Sequence, residues 1–371
     1  MVLDAVLEEL RARNTYKAEV YAPYYMISWA IHLFNLHNQK SKIYWEGSRL
    51  PSLRLHLLFV APPGFMKTYY LEQMLRGKYC ILGNTVPKTF EAVMTEAGLI
   101  GTISSMEGSI WVESGVAKDY ATGIVGVDEF SAITQMLKTT HSGQLDVQLL
   151  SVLDSGWAYK RLAHGKLEYQ TQFTLWAGVQ PARYDLTSGL GRRLCFLLFL
   201  PTPKEADELL VAWAGARGIR PNVEQIEELW RKLKQVKQEI QSVETIEFDP
   251  GLLQEYRSLG IFPYEGSLYD RIILGYHLLR NPGKRVYVTL DDKEVKRLVH
   301  REVAWRRQIS VGSEYKQVMQ ILVELGGKAS RSVLMQNCMM LGWDIEKFVQ
   351  VLTTMQRLKL VRFDNQEVEL V

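Results

Sequence analysis

Residues 57–68 read LLFVAPPGFMKT: an apolar run, a Gly/Pro turn and Lys-Thr, followed by a helical-looking stretch. A chain with this order places a strand, a tight turn and a helix in direct succession. Backbone N–H groups of the turn and of the first helical turn then converge on one small space, where the helix dipole also favours negative charge. This is the layout of a phosphate-binding loop. Ala61, Pro62, Pro63, Gly64, Phe65, Met66, Lys67 and Thr68 would cradle the phosphates, with Lys67 reaching the β- and γ-phosphates and the Thr68 hydroxyl holding Mg²⁺. Alanine and methionine stand where the usual pattern has glycine, at positions 61 and 66. A positive φ at Met66 would be strained, so the loop is expected to use an ordinary φ there.

A second run, Ile124-Val125-Gly126-Val127, ends in Asp128-Glu129. A continuous apolar run marks a strand buried on both faces, and ligands bind beyond the carboxyl ends of such strands. Asp128 would orient the metal through its water shell, and Glu129 would polarise the attacking water. A third run, Phe173 to Val179, leads to Gln180-Pro181, where the amide of Gln180 can position the same water. Arg192 and Arg193 precede a fourth run, Cys195 to Leu200. An arginine held at a strand edge can stabilise a transferring phosphoryl group, often from a neighbouring subunit; an ordinary surface basic pair fits as well.

In this order the parts resemble an AAA+ ATPase. More narrowly, they resemble the MCM-type replicative helicases and the shortened MCM-like proteins of archaeal viruses and plasmids. APPGFMKT is similar to that family's phosphate loop, Gly98-Leu99-Ile100-Gly101 and Glu113-Ser114-Gly115 to its segments around a helix-inserted hairpin, and IVGVDEF to its acidic strand. The family's sensor asparagine falls on Gln180. Its finger falls on Arg192, with Arg193 one register away, and a later arginine acting across the subunit boundary falls on Arg271. The likeness runs from Arg54 to Trp305. It implies ATP and Mg²⁺ as cofactors and a homo-oligomer, a hexameric ring, with hairpins lining a DNA channel. Lys160, Arg161, His164 and Lys166 of the hairpin-like WAYKRLAHGKLEY would face DNA phosphates; Lys118 is a further candidate.

The 371 residues suffice for two or three domains, and 47% of them are hydrophobic. A net charge of +3, from 44 basic and 41 acidic residues, is nearly balanced, so any nucleic-acid surface must be local. The three cysteines are dispersed without a CxxC pair, which argues against a zinc ribbon, and Cys195 and Cys338 read as buried thiols. No signal peptide opens the chain and no apolar run approaches ~18 residues. The expectation is therefore an intracellular, cytoplasmic protein with no membrane partner.

The expected fold is α/β. Residues 1–50 form a small helical cap, 51–203 an AAA+ P-loop parallel sheet with hairpin insertions, and 204–312 a helical lid and linker helices. Residues 313–371 read as three helices and a hairpin, a winged helix able to contact DNA or replication proteins. The implied function is an ATP-driven DNA helicase or translocase acting in replication of a virus or mobile element. An ATP-switched initiator or helicase loader is the alternative, followed by a packaging or transposition motor and by a degenerate ATPase serving as a binding module.

Overall fold

The computed structural model describes residues 2–41, 53–106, 109–130, 143–162, 165–181, 190–262, 265–310, 313–341, 343–357, 360–364 and 366–371. The chain opens with α1 (Val2–Ala12) and α2 (Ala18–Ser41). Then come β1 (His56–Val60), α3 (Lys67–Leu75), β2 (Lys88–Val93), α4 (Glu96–Ile100) and a hairpin of β3 (Gly101–Met106) and β4 (Ser109–Ser114). Next are α5 (Val116–Asp119), β5 (Ile124–Glu129), α6 (Gly143–Asp154), a second hairpin of β6 (Trp157–Leu162) and β7 (Gly165–Gln170), β8 (Thr174–Val179) and β9 (Leu194–Leu198). The chain continues through α7 (Pro203–Ala216), α8 (Val223–Ile240), β10 (Thr245–Phe248), α9 (Leu252–Ser258), α10 (Gly266–Arg280), β11 (Arg285–Val288) and α11 (Lys293–Ser310). It ends with α12 (Ser313–Glu324), β12 (Lys328–Ser330), α13 (Arg331–Met340), α14 (Ile345–Arg357), β13 (Val361–Phe363) and β14 (Glu367–Leu370).

The central sheet has five parallel strands in the order β2-β5-β8-β1-β9. Both faces are covered, which is why the inner strands are unbroken apolar runs. Leu57 and Phe59 of β1 pack into one core with α1, α2, α3, α8 and α10. Leu58 and Val60 pack into the other, with α4, α6 and both hairpins.

The N-terminal helices differ from the expected cap. Helix α2 is buried on every side through Tyr24, Tyr25, Trp29, Ile31 and Phe34. It lies in a single core that also includes residues of β1, β8, α8, α10 and α11. A helix apolar all round belongs inside a core, and its polar groups are paired there. Ser28 donates to the Leu55 carbonyl at 2.6 Å and accepts from the Trp176 indole at 2.7 Å. The core therefore runs through the boundaries drawn at residues 50 and 203.

Helices α7 to α11 follow the sheet with one surprise, a short parallel pair of β10 and β11. Helix α8 is amphipathic as expected, burying Ile226, Leu229, Leu233, Val236 and Ile240. Asp292 caps α11 by accepting from the Glu294 amide at 2.8 Å. The last six elements have their own core around Phe348 and Leu352. Their sheet order is β12-β14-β13, antiparallel throughout. Asp344 caps α14 through the Lys347 amide at 2.7 Å. All three cysteines are buried thiols. Among the described residues, no helix is long and apolar enough to cross a membrane.

Candidate nucleotide-binding site

The loop grows directly out of the sheet. The Ala61 amide donates to Val179 at 3.1 Å, extending the β1–β8 ladder by one residue. Pro62 and Pro63 offer no N–H, and the Phe65 amide closes the turn onto Pro62 at 3.3 Å. Gly64 has φ 78° and Met66 has φ 53°, with the Lys67 amide 2.6 Å from the Phe65 carbonyl. This corrects the expectation of an ordinary φ at Met66. The loop makes its last bend there as a tight γ-turn, a conformation costing a side-chain-bearing residue about 1–3 kcal/mol. The Met66 side chain is buried in the α2–α3 core, and that burial offsets the strain. No side chain caps α3, and its first amide, that of Lys67, is held within the γ-turn.

The partner residues converge on this corner because β1, β8 and β5 are sheet neighbours. Thr68 Oγ1 donates to Asp128 Oδ1 at 2.6 Å. Gln180 Nε2 donates to Glu129 Oε2 at 3.2 Å. Lys67 is buried and folds back onto the loop, its Nζ donating to the carbonyls of Ala61 at 2.8 Å and Pro62 at 2.9 Å. Burial pulls the Lys67 ammonium below its ordinary value, while Glu129 and Asp128 hold it up. Gly178 makes the approach possible: a Cβ there would lie 2.4 Å from the Asp128 carbonyl and 3.2 Å from the Lys67 Cβ. Lys67, Thr68, Asp128, Glu129 and Gln180 are thus brought together as the sequence suggested.

A cavity of about 560 Å³ opens beside Gly64–Thr68, within the range usual for small-molecule sites of roughly 300–1,000 Å³. Its walls include Asn14, Tyr16, Leu209 and Trp213, none of which sequence reasoning had singled out. Asn14 Nδ2 donates to the Ala212 carbonyl at 2.7 Å, joining the α1–α2 turn to α7. The missed signal lay in α7, whose Leu210, Val211 and Trp213 are apolar yet exposed. Among the described residues, no group of three or more His, Cys, Asp or Glu could hold a metal. A Thr–Asp pair suits Mg²⁺, which keeps several waters and takes further oxygens from phosphates.

The arginines lie elsewhere. Arg192 ends the turn Leu190–Arg192 just before β9 and is exposed. In register, Leu194 lies beside His56 at the start of β1, whereas Lys67 lies past its end. The five residues of β1 span about 17 Å, so Arg192 and Arg193 are at the far edge of the sheet from Lys67. Arg193 pairs with Asp154 at 2.8 Å. Arg271 donates to the Arg54 carbonyl at 2.8 Å and to Ser267 Oγ at 3.2 Å, also at this far edge. A buried pair from α11 grips the Arg192 turn. Arg306 donates to the Gly191 carbonyl at 2.6 Å, the Leu194 carbonyl at 2.7 Å and Glu302 at 2.8 Å.

The four hairpin cations separate. Arg161 and Lys166 face each other in register on the exposed side of β6–β7. Lys160 lies on the opposite side and is half-buried. His164 lies outside the described residues. Lys118, in α5, is exposed.

No protein-family model matches the chain, and a search of curated proteins finds no match either.

Proposed function

We propose that this chain is an ATP-driven DNA translocase or helicase of the MCM-like AAA+ type, working as a homo-oligomer. One observation carries the reading. Lys67, the Thr68–Asp128 pair and the Glu129–Gln180 pair share one corner, and Lys67 and Thr68 of that corner also line the cavity of about 560 Å³ at the start of α3.

Bound ATP with Mg²⁺ would supply the phosphoanhydride bond to be cleaved. Lys67 exchanges its two carbonyl partners for phosphate oxygens and neutralises their charge. Thr68 and Asp128 would hold Mg²⁺. Glu129 accepts a proton from the attacking water, and Gln180 fixes the Glu129 carboxylate through its present hydrogen bond. Helix α7 covers the cavity as the first element of a lid running to α11. Arg192, presented at the far edge of the sheet by the Arg306–Glu302 grip, serves the site of the next subunit. The last six elements, three helices and a three-stranded antiparallel sheet, are read as a winged helix.

The test is phosphate release from ATP, with and without DNA, by the wild type and by Glu129→Gln. The variant is expected to bind ATP normally and to lose about 10²–10⁴-fold in turnover. Hydrolysis at the wild-type rate would remove Glu129 as the base. Unwinding of a forked duplex separates a helicase from an initiator or loader.

A further inference from the structure

A second cavity, of about 520 Å³, lies where the start of α2, the later half of α11 and the last six elements meet. None of its described lining residues belongs to the Lys67 corner. Two cations reach it from different elements. Lys17, in a left-handed conformation with φ 52°, holds its ammonium 5.4 Å from the centres of the Tyr16 and Phe199 rings and pairs with Glu205 at the start of α7. Arg301 of α11 donates to the Val20 carbonyl at 3.3 Å, and its guanidinium lies 5.9 Å from the centre of the Trp305 ring. Trp305 is itself stacked on Tyr21, 5.6 Å away and 9° from parallel. The Val20 amide bonds to the Lys17 carbonyl at 2.9 Å, so both cations flank one turn of chain. Among the described residues, no carboxylate pairs with Arg301. Glu205 is the one acidic side chain among the described lining residues, against two basic ones.

We infer that this cavity is a second ligand site, separate from the nucleotide corner, and that it takes a small organic phosphate. Its volume is in the range usual for such ligands, roughly 300–1,000 Å³. The phosphate head lies between Arg301 and Lys17. A guanidinium fork matches phosphate oxygens, and a lysine adds a point charge beside it. A phosphate monoester carries close to two negative charges at neutral pH, one for each cation, whereas a carboxylate carries one. The head therefore satisfies Arg301 and competes with Glu205 for Lys17. The volume exceeds what a bare phosphate fills, and Leu200, Met319 and Leu370 give the remainder an apolar wall that suits an apolar body. The site stands apart from the ATPase reading, since it uses neither the phosphate loop nor the acids of β5.

The experiment is calorimetric titration of the full chain in the Lys67→Ala background without Mg²⁺, which disables the phosphate loop. The probes are phenyl phosphate, inorganic phosphate and benzoate. Phenyl phosphate is expected to bind once per chain, about tenfold more tightly than inorganic phosphate because its ring meets the apolar wall, and more tightly than benzoate because its charge meets both cations. Arg301→Ala should weaken it by about 10–100-fold. Glu205→Gln should tighten it by about 2–5-fold, since Lys17 is then freed from its acid. Glutamine preserves the capping box that Glu205 forms with Thr202, and a gain in affinity is not what a folding defect produces. The inference is overturned if phenyl phosphate does not bind, if it binds no better than inorganic phosphate or benzoate, if Arg301→Ala leaves binding intact, or if Glu205→Gln fails to tighten it. Binding by the wild type that disappears with Lys67→Ala would assign the phosphate to the loop, supporting the nucleotide site and overturning this one.

Discussion

The two edges of the central sheet use their charged side chains in opposite ways. At the carboxyl edge, Thr68–Asp128 and Gln180–Glu129 bond side chain to side chain, and Thr68 also lines the cavity at the uncapped start of α3. At the amino edge, guanidinium groups are spent on backbone. Arg54 is fully buried and donates to the carbonyls of Phe173, Val152, Leu153 and Asp154, each at 3.0 Å. Arg271 and Arg306 do the same at Arg54, Gly191 and Leu194. Cations bonded to carbonyls brace the fold, whereas the acids near the buried Lys67 are, in the proposed reading, the ligand-facing set. Of the amino-edge arginines described, Arg192 is the exposed one. In the proposed reading Arg192 of one copy meets the Lys67 corner of the next, a head-to-tail contact that closes into a ring when its rotation permits.

The largest break in this comparison is Arg192→Ala. If Arg192 serves the neighbour's site, turnover should fall about 10³-fold or more, while ATP binding stays near wild type. Mixing with Lys67→Ala subunits, which lack the phosphate-binding ammonium, should restore part of the rate at mixed interfaces. No recovery at any mixing ratio would argue for a site complete within one chain.

At the same edge, Arg54 tests the architectural half. Its four carbonyl partners include the end of α6, which leads into the β6–β7 hairpin. Burial, with Arg271 beside it, brings its pKa down to about 9, and the group remains a cation at neutral pH. Arg54→Met leaves those carbonyls without their donor and should destabilise the chain by about 3–5 kcal/mol, measured by denaturant unfolding. A shift in turnover with unchanged stability would contradict the division drawn here.

Much of the carboxyl edge was legible because its signals are local. An apolar run ending in Lys-Thr, another ending in Asp-Glu and a third ending in Gln each name a strand and what stands at its tip. The C-terminal helices were equally plain as three stretches, and the structure caps two of them with Ser330 and Asp344. What stayed hidden depends on distant partners. Helix α2 is apolar all round, yet nothing local says which elements surround it. Strands β10 and β11 are four residues each and pair in parallel across an intervening pair of helices. The left-handed Met66 could not be foreseen, because burial of its side chain in the α2–α3 core is what holds it. The roles of Arg54, Arg306 and Asp154 are set by carbonyls and side chains far along the chain.

A smaller effect comes from buried imidazoles that brace the amino edge. His32 contacts Thr174 Oγ1 at 2.9 Å and the Thr122 carbonyl at 3.0 Å. Burial lowers its pKa from 6.5 to about 4, and burial also depresses His56. Below pH 6.5 the unfolded chain takes up a proton that folded His32 refuses, so stability falls from pH 6.5 to about 4 and then levels. At pH 5 the loss from His32 is about 2 kcal/mol. Asp270 works the other way: burial raises it to about 6, so it adds stability as pH falls through that value. His32→Gln should flatten the acid limb of a stability–pH curve; an unchanged limb would remove His32 as its source.

The finest discrimination is between Arg193 and its neighbour Arg192. Arg193 is half-buried and paired with Asp154, the last residue of α6, while Arg192 projects from a turn gripped by Arg306. If Arg193 only steadies that turn, Asp154→Asn keeps the shape, removes the charge and should cost about 0.2–1 kcal/mol in stability. Turnover should drop only a few-fold, within the roughly fivefold that 1 kcal/mol allows. Arg193→Lys should keep most of the turnover that Arg193→Ala loses, since a positioning role needs the ion pair rather than the planar fork. The opposite pattern, with Arg193→Lys as damaging as Arg193→Ala and Arg192→Ala nearly silent, would transfer the phosphate-facing role to Arg193. The Asp154 pair would then be a resting latch that opens when subunits meet.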